Sequence, residues 1–171
     1  MARLCTLASG SKGNSTYISS VGGDIIIDAG ISYKAFTTAL ECAGGDLSKL
    51  KAIAITHTHT DHISGLKTFL KNVKIPIIAS EATLTYLSDN NILLSDTKTI
   101  IADNGVELGD LYVDFFKTSH DALGSGGYVV NFANGTRAAV CTDLGVMNDN
   151  IRQKLHGCNA VLIESNHDVE M

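Results

Sequence analysis

The sequence predicts an α/β domain whose polar chemistry is gathered at the carboxyl ends of its strands. Three observations predict it. Short apolar, β-branched runs, Ile25-Ile26-Ile27, Ala52-Ile53-Ala54-Ile55 and Ala160-Val161-Leu162-Ile163, alternate with segments of helical periodicity. Several strands stop at a residue that binds protons or metals: Asp28, His57, His120, Asp143 and Glu164. The stretch His57-Thr58-His59-Thr60-Asp61-His62 sets four ligand-type residues in six positions between a strand and a helix, at the strand edge where open α/β folds place their ligands.

The elements follow in order. Residues 3–8 read as a strand, and Ser9-Gly10-Ser11-Lys12-Gly13-Asn14-Ser15 as a tight loop that lacks the Lys-Ser/Thr ending of a nucleotide-binding P-loop. Residues 16–20 and 24–28 form a hairpin about Gly22-Gly23. Ile25-Ile26-Ile27 is apolar throughout and therefore buried on both faces. Asp28 is thus delivered from the core to a loop, either to cap the next helix or to orient a metal ligand. A helix runs from the cap Ser32 to Cys42 and stops at Gly44-Gly45. Residues 63–72 are amphipathic, with Ile63, Leu66, Phe69 and Leu70 on one face. Residues 74–79 read as a strand that Pro76 points to an edge position, and Ser80 opens a helix to about Leu87. Strands at 97–101 and 112–117 flank a turn at 107–110. Strands at 128–132 and 137–142 are joined by the hairpin turn Asn134-Gly135, and a helix at 148–155 precedes the strand 160–163.

At 171 residues, 44% of them hydrophobic, the chain 1–171 suits one domain. A net charge of −5 carries no overall footprint for long nucleic acid, though a local groove is compatible with it. Cys5, Cys42, Cys141 and Cys158 lack a Cys-x-x-Cys spacing and read as buried free thiols of a reducing compartment. Met1-Ala2-Arg3-Leu4-Cys5 runs into a strand without a signal peptide, and no apolar run approaches membrane length. A cytoplasmic protein with no membrane partner is expected.

The spacing of the central motif explains its chemistry. In an extended segment alternate side chains point the same way, so His57 and His59 can grip one ion. Asp61 and His62, where the chain turns into a helix, point to a neighbouring position. Two pairs of N and O donors suit two adjacent divalent cations, with zinc, manganese and iron all compatible. His120 ends a strand as His57 does, and Asp143 ends another, where a carboxylate can bridge two cations. His156, at a helix end before Gly157, reads as a helix-terminal cation.

The pattern His-x-His-x-Asp-His after an apolar strand resembles the signature of the metallo-β-lactamase superfamily. Asp28, the His57–His62 cluster, His120 and Asp143 match its first four motifs in order. The loop Ser9–Ser15 and the segment Glu164-Ser165-Asn166-His167-Asp168 look like the WalJ/YycJ branch, which is associated with DNA exonuclease activity. The resemblance implies an αββα sandwich in which His57, His59, His120 and Asp143 hold one metal, while Asp61, His62 and the shared Asp143 hold the other. The fifth motif, a downstream histidine, has no match before Met171, and strands and a helix beyond residue 163 are wanting. The chain is therefore expected to be the N-terminal two-thirds or so of a longer domain, completed in nature by more chain or by a second chain or fragment.

The mechanism so implied is hydrolysis of a phosphodiester, with DNA as the implied substrate, by hydroxide held on the metals. Asp61, Glu164 and His167 are the catalytic candidates, His167 and Glu164 as donors, or as a donor-orienting pair, for the leaving group's proton. Lys12 and Asn14 are candidate substrate contacts. Competing readings are a thioester, lactone or β-lactam hydrolase with the same metals and, from another class, a di-iron redox protein.

Overall fold

The computed structural model describes residues 2–163. The first sheet is built from β1 (Arg3–Ala8), β2 (Ser15–Ser19), β3 (Asp24–Ile27), β4 (Leu50–Ala54), β5 (Ile77–Ala79) and β6 (Thr99–Ile101), side by side in that order. Its first three strands are antiparallel and the rest run parallel from β3. The helices α1 (Tyr33–Cys42), α2 (Thr60–Ile63), α3 (Leu66–Asn72) and α4 (Glu81–Asp89) occur in the parallel half, where crossovers need them. The second sheet contains β7 (Val106–Leu108), β8 (Leu111–Lys117), β9 (Gly126–Phe132), β10 (Arg137–Cys141) and β11 (Ala160–Ile163), ordered β11-β10-β9-β8-β7. The helix α5 (Asp149–Leu155) connects β10 to its parallel neighbour β11.

The period of two along each strand sorts the core into layers. In β3, Ile26 joins Phe36, Leu66 and Phe69 under the helices, whereas Ile25 and Ile27 join Phe115, Tyr128 and Val130 between the sheets. In β9, Val129 points the other way and packs with Phe116, Ala139 and Ile151 beneath α5. The described residues therefore form helix, sheet, sheet and helix layers, the expected αββα arrangement. No helix among them is long and apolar enough to cross a membrane.

The caps Ser32 and Ser80 act as read from sequence: Ser32 Oγ accepts from Ala35 N at 3.2 Å and Ser80 Oγ from Thr83 N at 3.3 Å. Asn148, expected to open the last helix, caps it instead, its Oδ1 accepting from Ile151 N at 3.0 Å. Because Ser32 caps α1, Asp28 is released from that duty.

Four expectations need correction. The helix at 63–72 is two helices, because Gly65 N donates to Ala29 O at 2.9 Å instead of continuing the turn. Pro76 does not mark an edge: β5 lies between β4 and β6, and the proline precedes the strand, where only its carbonyl is used, accepting from Ile53 N at 3.0 Å. The 107–110 turn contains the end of an additional strand, β7, paired with β8. Among the four free cysteines only Cys141 is buried; Cys42 is exposed and Cys5 and Cys158 are half-buried.

Two contacts lock the sheets together beside the end of β4. Gly126 N donates to Thr56 O at 3.0 Å, and the buried Tyr128 hydroxyl donates to Ile55 O at 2.8 Å and lies 3.3 Å from Ile78 O. Burial raises the Tyr128 pKa well above its usual value, so the hydroxyl remains a neutral donor. Tyr128→Phe is expected to lower unfolding stability by about 1–2 kcal/mol, the cost of withdrawing a buried donor. Urea unfolding should show a lower midpoint at unchanged slope; an unchanged midpoint would dismiss this lock.

Candidate metal centre

The cluster is assembled where both sheets end on the same side. After β4 the chain stays extended through Thr56 to His59, and α2 begins at Thr60, placing Asp61 in its first turn and His62 one residue later. Two backbone bonds hold this loop from behind, Asn14 N to Asp61 O at 2.7 Å and Ala29 N to His62 O at 2.9 Å, and a third, Gly30 N to Asn14 O at 2.9 Å, joins the two supporting segments. A side chain at Gly30 would begin 1.6 Å from Asp61 O, so glycine alone allows this approach. The second sheet contributes His120 after β8 and Asp143 after β10.

Both core-derived carboxylates sit on left-handed backbone, Asp28 at φ 63° and Asp143 at φ 51°. Asp tolerates this conformation better than most residues but still at a cost of order 1 kcal/mol.

Asp28, almost fully buried, accepts from Thr56 N at 2.8 Å through Oδ1 and from Thr56 Oγ1 at 2.7 Å through Oδ2. His62 Nδ1 also meets Oδ2 at 2.7 Å. Since the Thr56 hydroxyl proton is committed to Asp28, its oxygen can only accept at the 3.0 Å contact with His57 Nδ1. That fixes the His57 tautomer, with Nδ1 protonated and a lone pair on Nε2. His57 Nε2 is buried and has no hydrogen-bond partner among the described residues. A buried lone pair left without a partner fits a metal ligand and is otherwise costly.

The donors fall into two overlapping groups, His57, His59 and His120 in one and His57, His62 and Asp143 in the other; within each, the donor atoms lie no more than 4.8 Å apart. His120 Nε2 is 3.0 Å from His59 Nδ1. Asp143 spans both groups: Oδ2 is 3.0 Å from His62 Nε2 and 3.9 Å from His57 Nε2, while Oδ1 is 3.9 Å from His120 Nε2. Asp61 Oδ2 lies 3.5 Å from His62 Nε2.

The protein groups alone set up a field for a cation. Burial pushes the His57 pKa down to about 4, helped by the neighbouring His62. Burial also opposes charge on His62, but the hydrogen bonds with Asp143 and Asp28 outweigh it and raise its pKa to about 10. Burial works against the Asp143 carboxylate, and the contact with His62 overrides it, lowering the pKa to about 2. The carboxylates thus draw positive charge onto the His62 Nε2 edge, where a metal cation can replace a proton. The donor set and the unpartnered nitrogen both fit divalent ions.

Every metal-ligand candidate read from sequence lies in this cluster, and Asp28 meets His62 directly. Asn14 is turned inward, its Nδ2 2.9 Å from Asp61 Oδ2, whereas Lys12 is exposed. Glu164 and His167 lie outside the described residues. Sequence reading passed over Thr56, whose signal was only its place before His57, and Asp121, whose Oδ1 lies 3.3 Å from His59 Nε2 and 3.2 Å from His120 Nε2. A cleft of about 420 Å³ opens beside Asp61 and Asp143, walled by Ser9, Ser11, Ser15 and Thr142.

Four layers with His and Asp donors at the shared strand edge define a metal-centre domain of the αββα class. The family described as "Beta-lactamase superfamily domain" matches residues 24–171, and the chain belongs to that superfamily. It is 36% identical over 169 residues to the exodeoxyribonuclease YycJ of Bacillus anthracis, covering 96% of this chain and 63% of that protein. It is 32% identical over 170 residues to the exodeoxyribonuclease WalJ of Streptococcus pneumoniae, covering 96% and 62%. The chain thus spans under two-thirds of the length of these curated relatives. A metallo-beta-lactamase from Cronobacter sakazakii, a HARLDQ-motif mutant, shares the fold with a TM-score of 0.72 at 18% identity, over 92% of this chain and 75% of that one.

Asp28→Asn keeps a residue that accepts positive φ but trades an acceptor for an amide donor facing Thr56 and His62. Divalent metal affinity, read by competition with a chromogenic chelator, should fall about 10–100-fold. Unchanged affinity would show that Asp28 does not orient His62 for a metal.

Proposed function

We propose that this chain is the N-terminal two-thirds or so of a binuclear metal-dependent phosphodiesterase, a DNA exonuclease of the YycJ/WalJ kind. His57, His59, His120 and Asp143 hold one divalent cation; Asp61, His62 and Asp143 hold the other. The observation that carries the reading is the orientation of Asp143, one oxygen toward His62 and the other toward His120. A carboxylate so placed would offer an oxygen to each of two neighbouring cations. The choice of nucleic acid, and of DNA over RNA, rests on the names of the two exodeoxyribonucleases to which the chain is similar.

When bound, such cations supply Lewis acidity toward a phosphoryl oxygen and a water acidic enough to be a nucleophile near neutral pH. Zinc, manganese and iron all suit the donors. The protein groups keep this arrangement preorganised. Asp28 and Thr56 hold the tautomers of His62 and His57, and the cleft beside Asp61 and Asp143 gives an extended substrate room to approach. With a net charge of −5, phosphate recognition falls to the cations and local groups, Lys12 among them. His167, oriented by Glu164, is proposed to give the leaving alkoxide its proton. More of the same chain, or a second chain, completes the domain, and the free thiols suit the reducing cytoplasm.

The test is hydrolysis by the full-length protein of end-labelled DNA and bis-p-nitrophenyl phosphate, against RNA, thioesters and lactones. Cleavage of DNA and of the chromogenic diester, abolished by chelator and lowered on the order of 10³-fold by His57→Ala, is expected. Turnover of a thioester or lactone with inert phosphodiesters would overturn the reading. The proton-donor role has its own check: His167→Ala should slow DNA cleavage far more than release of p-nitrophenolate, which leaves without a proton. Equal losses would dismiss it.

A further inference from the structure

Resting on the two-cation reading above, we propose that Asn14 is a positioning residue for one half of the centre, holding the Asp61 carboxylate in place for the second cation and leaving the His57, His59 and His120 half untouched. The other donors around that cation are fixed by buried partners, His62 by Asp28 and Asp143 by His62. Asp61 is held more loosely: its Oδ2 lies 3.5 Å from His62 Nε2, and it stands in the first turn of the short helix α2 with 30% of its side chain exposed.

Asn14 tightens that hold. Its orientation is set by its own loop: Oδ1 accepts from Gly10 N at 3.0 Å and Nδ2 donates to Gly10 O at 3.3 Å, with Nδ2 also facing the cluster. Nδ2 donates to Asp61 Oδ2 at 2.9 Å and stands 3.1 Å from His62 Nε2. None of its polar contacts is with His57, His59 or His120. An amide is suited to this position. It donates to a carboxylate without adding charge, whereas a lysine would repel the cation and an aspartate would repel Asp61. The Ser9–Ser15 loop, with no P-loop ending, thereby acquires a role: it delivers one amide to one ligand.

The backbone bonds of Asn14, to Asp61 O and from Gly30 N, do not involve the side chain and survive truncation. Calorimetric titration of the metal-stripped full-length protein with Zn²⁺ tests the assignment. The parent should bind in two steps. Asn14→Ala should leave the tighter, histidine-triad step unchanged and weaken the other about 10–100-fold, so the first step reports in the same experiment that the chain is folded. Asn14→Ala added to Asp61→Ala should weaken the second step no further than Asp61→Ala alone, since Asn14 acts through Asp61. An unchanged second step, or equal weakening of both, would overturn the Asn14 assignment while leaving the two-cation reading standing. A single step in the parent would overturn that reading and this assignment with it.

Discussion

The centre depends first on the Asp28 carboxylate. It is buried, it sits on strained left-handed backbone, and it is saturated by Thr56 and His62. A buried charge in this situation is stable only while its partners are in place. It therefore dictates where the loop after β4 runs and which nitrogen of two imidazoles carries the proton. The His57 Nε2 left without a hydrogen-bond partner among the described residues is the consequence: Thr56 satisfies the other side of the ring.

From that node the site extends across both sheets. Asp28, His57, His59, Asp61, His62 and Asn14 come from the first; His120 and Asp143 come from the second. Their relative placement is no better than the registry of one sheet against the other. That registry is set close to the cluster by the Gly126–Thr56 bond and the Tyr128 hydroxyl, and behind them by packing of Ile25, Ile27, Phe115 and Val130. Ser119 extends the stitching outward, its hydroxyl accepting from Val146 N at 2.9 Å and lying 3.3 Å from Leu144 O, which ties the loop bearing His120 to the loop bearing Asp143. A close-packed core transmits small shifts, and a metal centre tolerates few of them.

Much of this was legible in the sequence, for reasons that differ by residue. The His57–His62 run is dense enough to declare itself, and Ile25–Ile27 announces burial on both faces because nothing polar interrupts it. Ser32 and Ser80 are caps by local chemistry alone. What stayed hidden depends on tertiary contact. The break at Gly65 arises from a bond to Ala29, far away in sequence, that periodicity does not encode. Pro76 misled because proline before a central strand and proline within an edge strand look alike in one dimension. The positive φ at Asp28 and Asp143, and the approach of Asn14 and Asp121 to the cluster, exist only once the strands are paired. The tautomers of His57 and His62 follow from three-dimensional bonding in the same way.

The central claim is that two cations meet at Asp143. Anomalous diffraction at the zinc edge, from crystals of the full-length protein grown with Zn²⁺, tests it most directly. Two peaks roughly 3.5–4 Å apart are expected, one on each side of the Asp143 carboxylate, with Asp61 and His62 at one and the triad of His57, His59 and His120 at the other. A single peak, or a pair that Asp143 does not join, would contradict it.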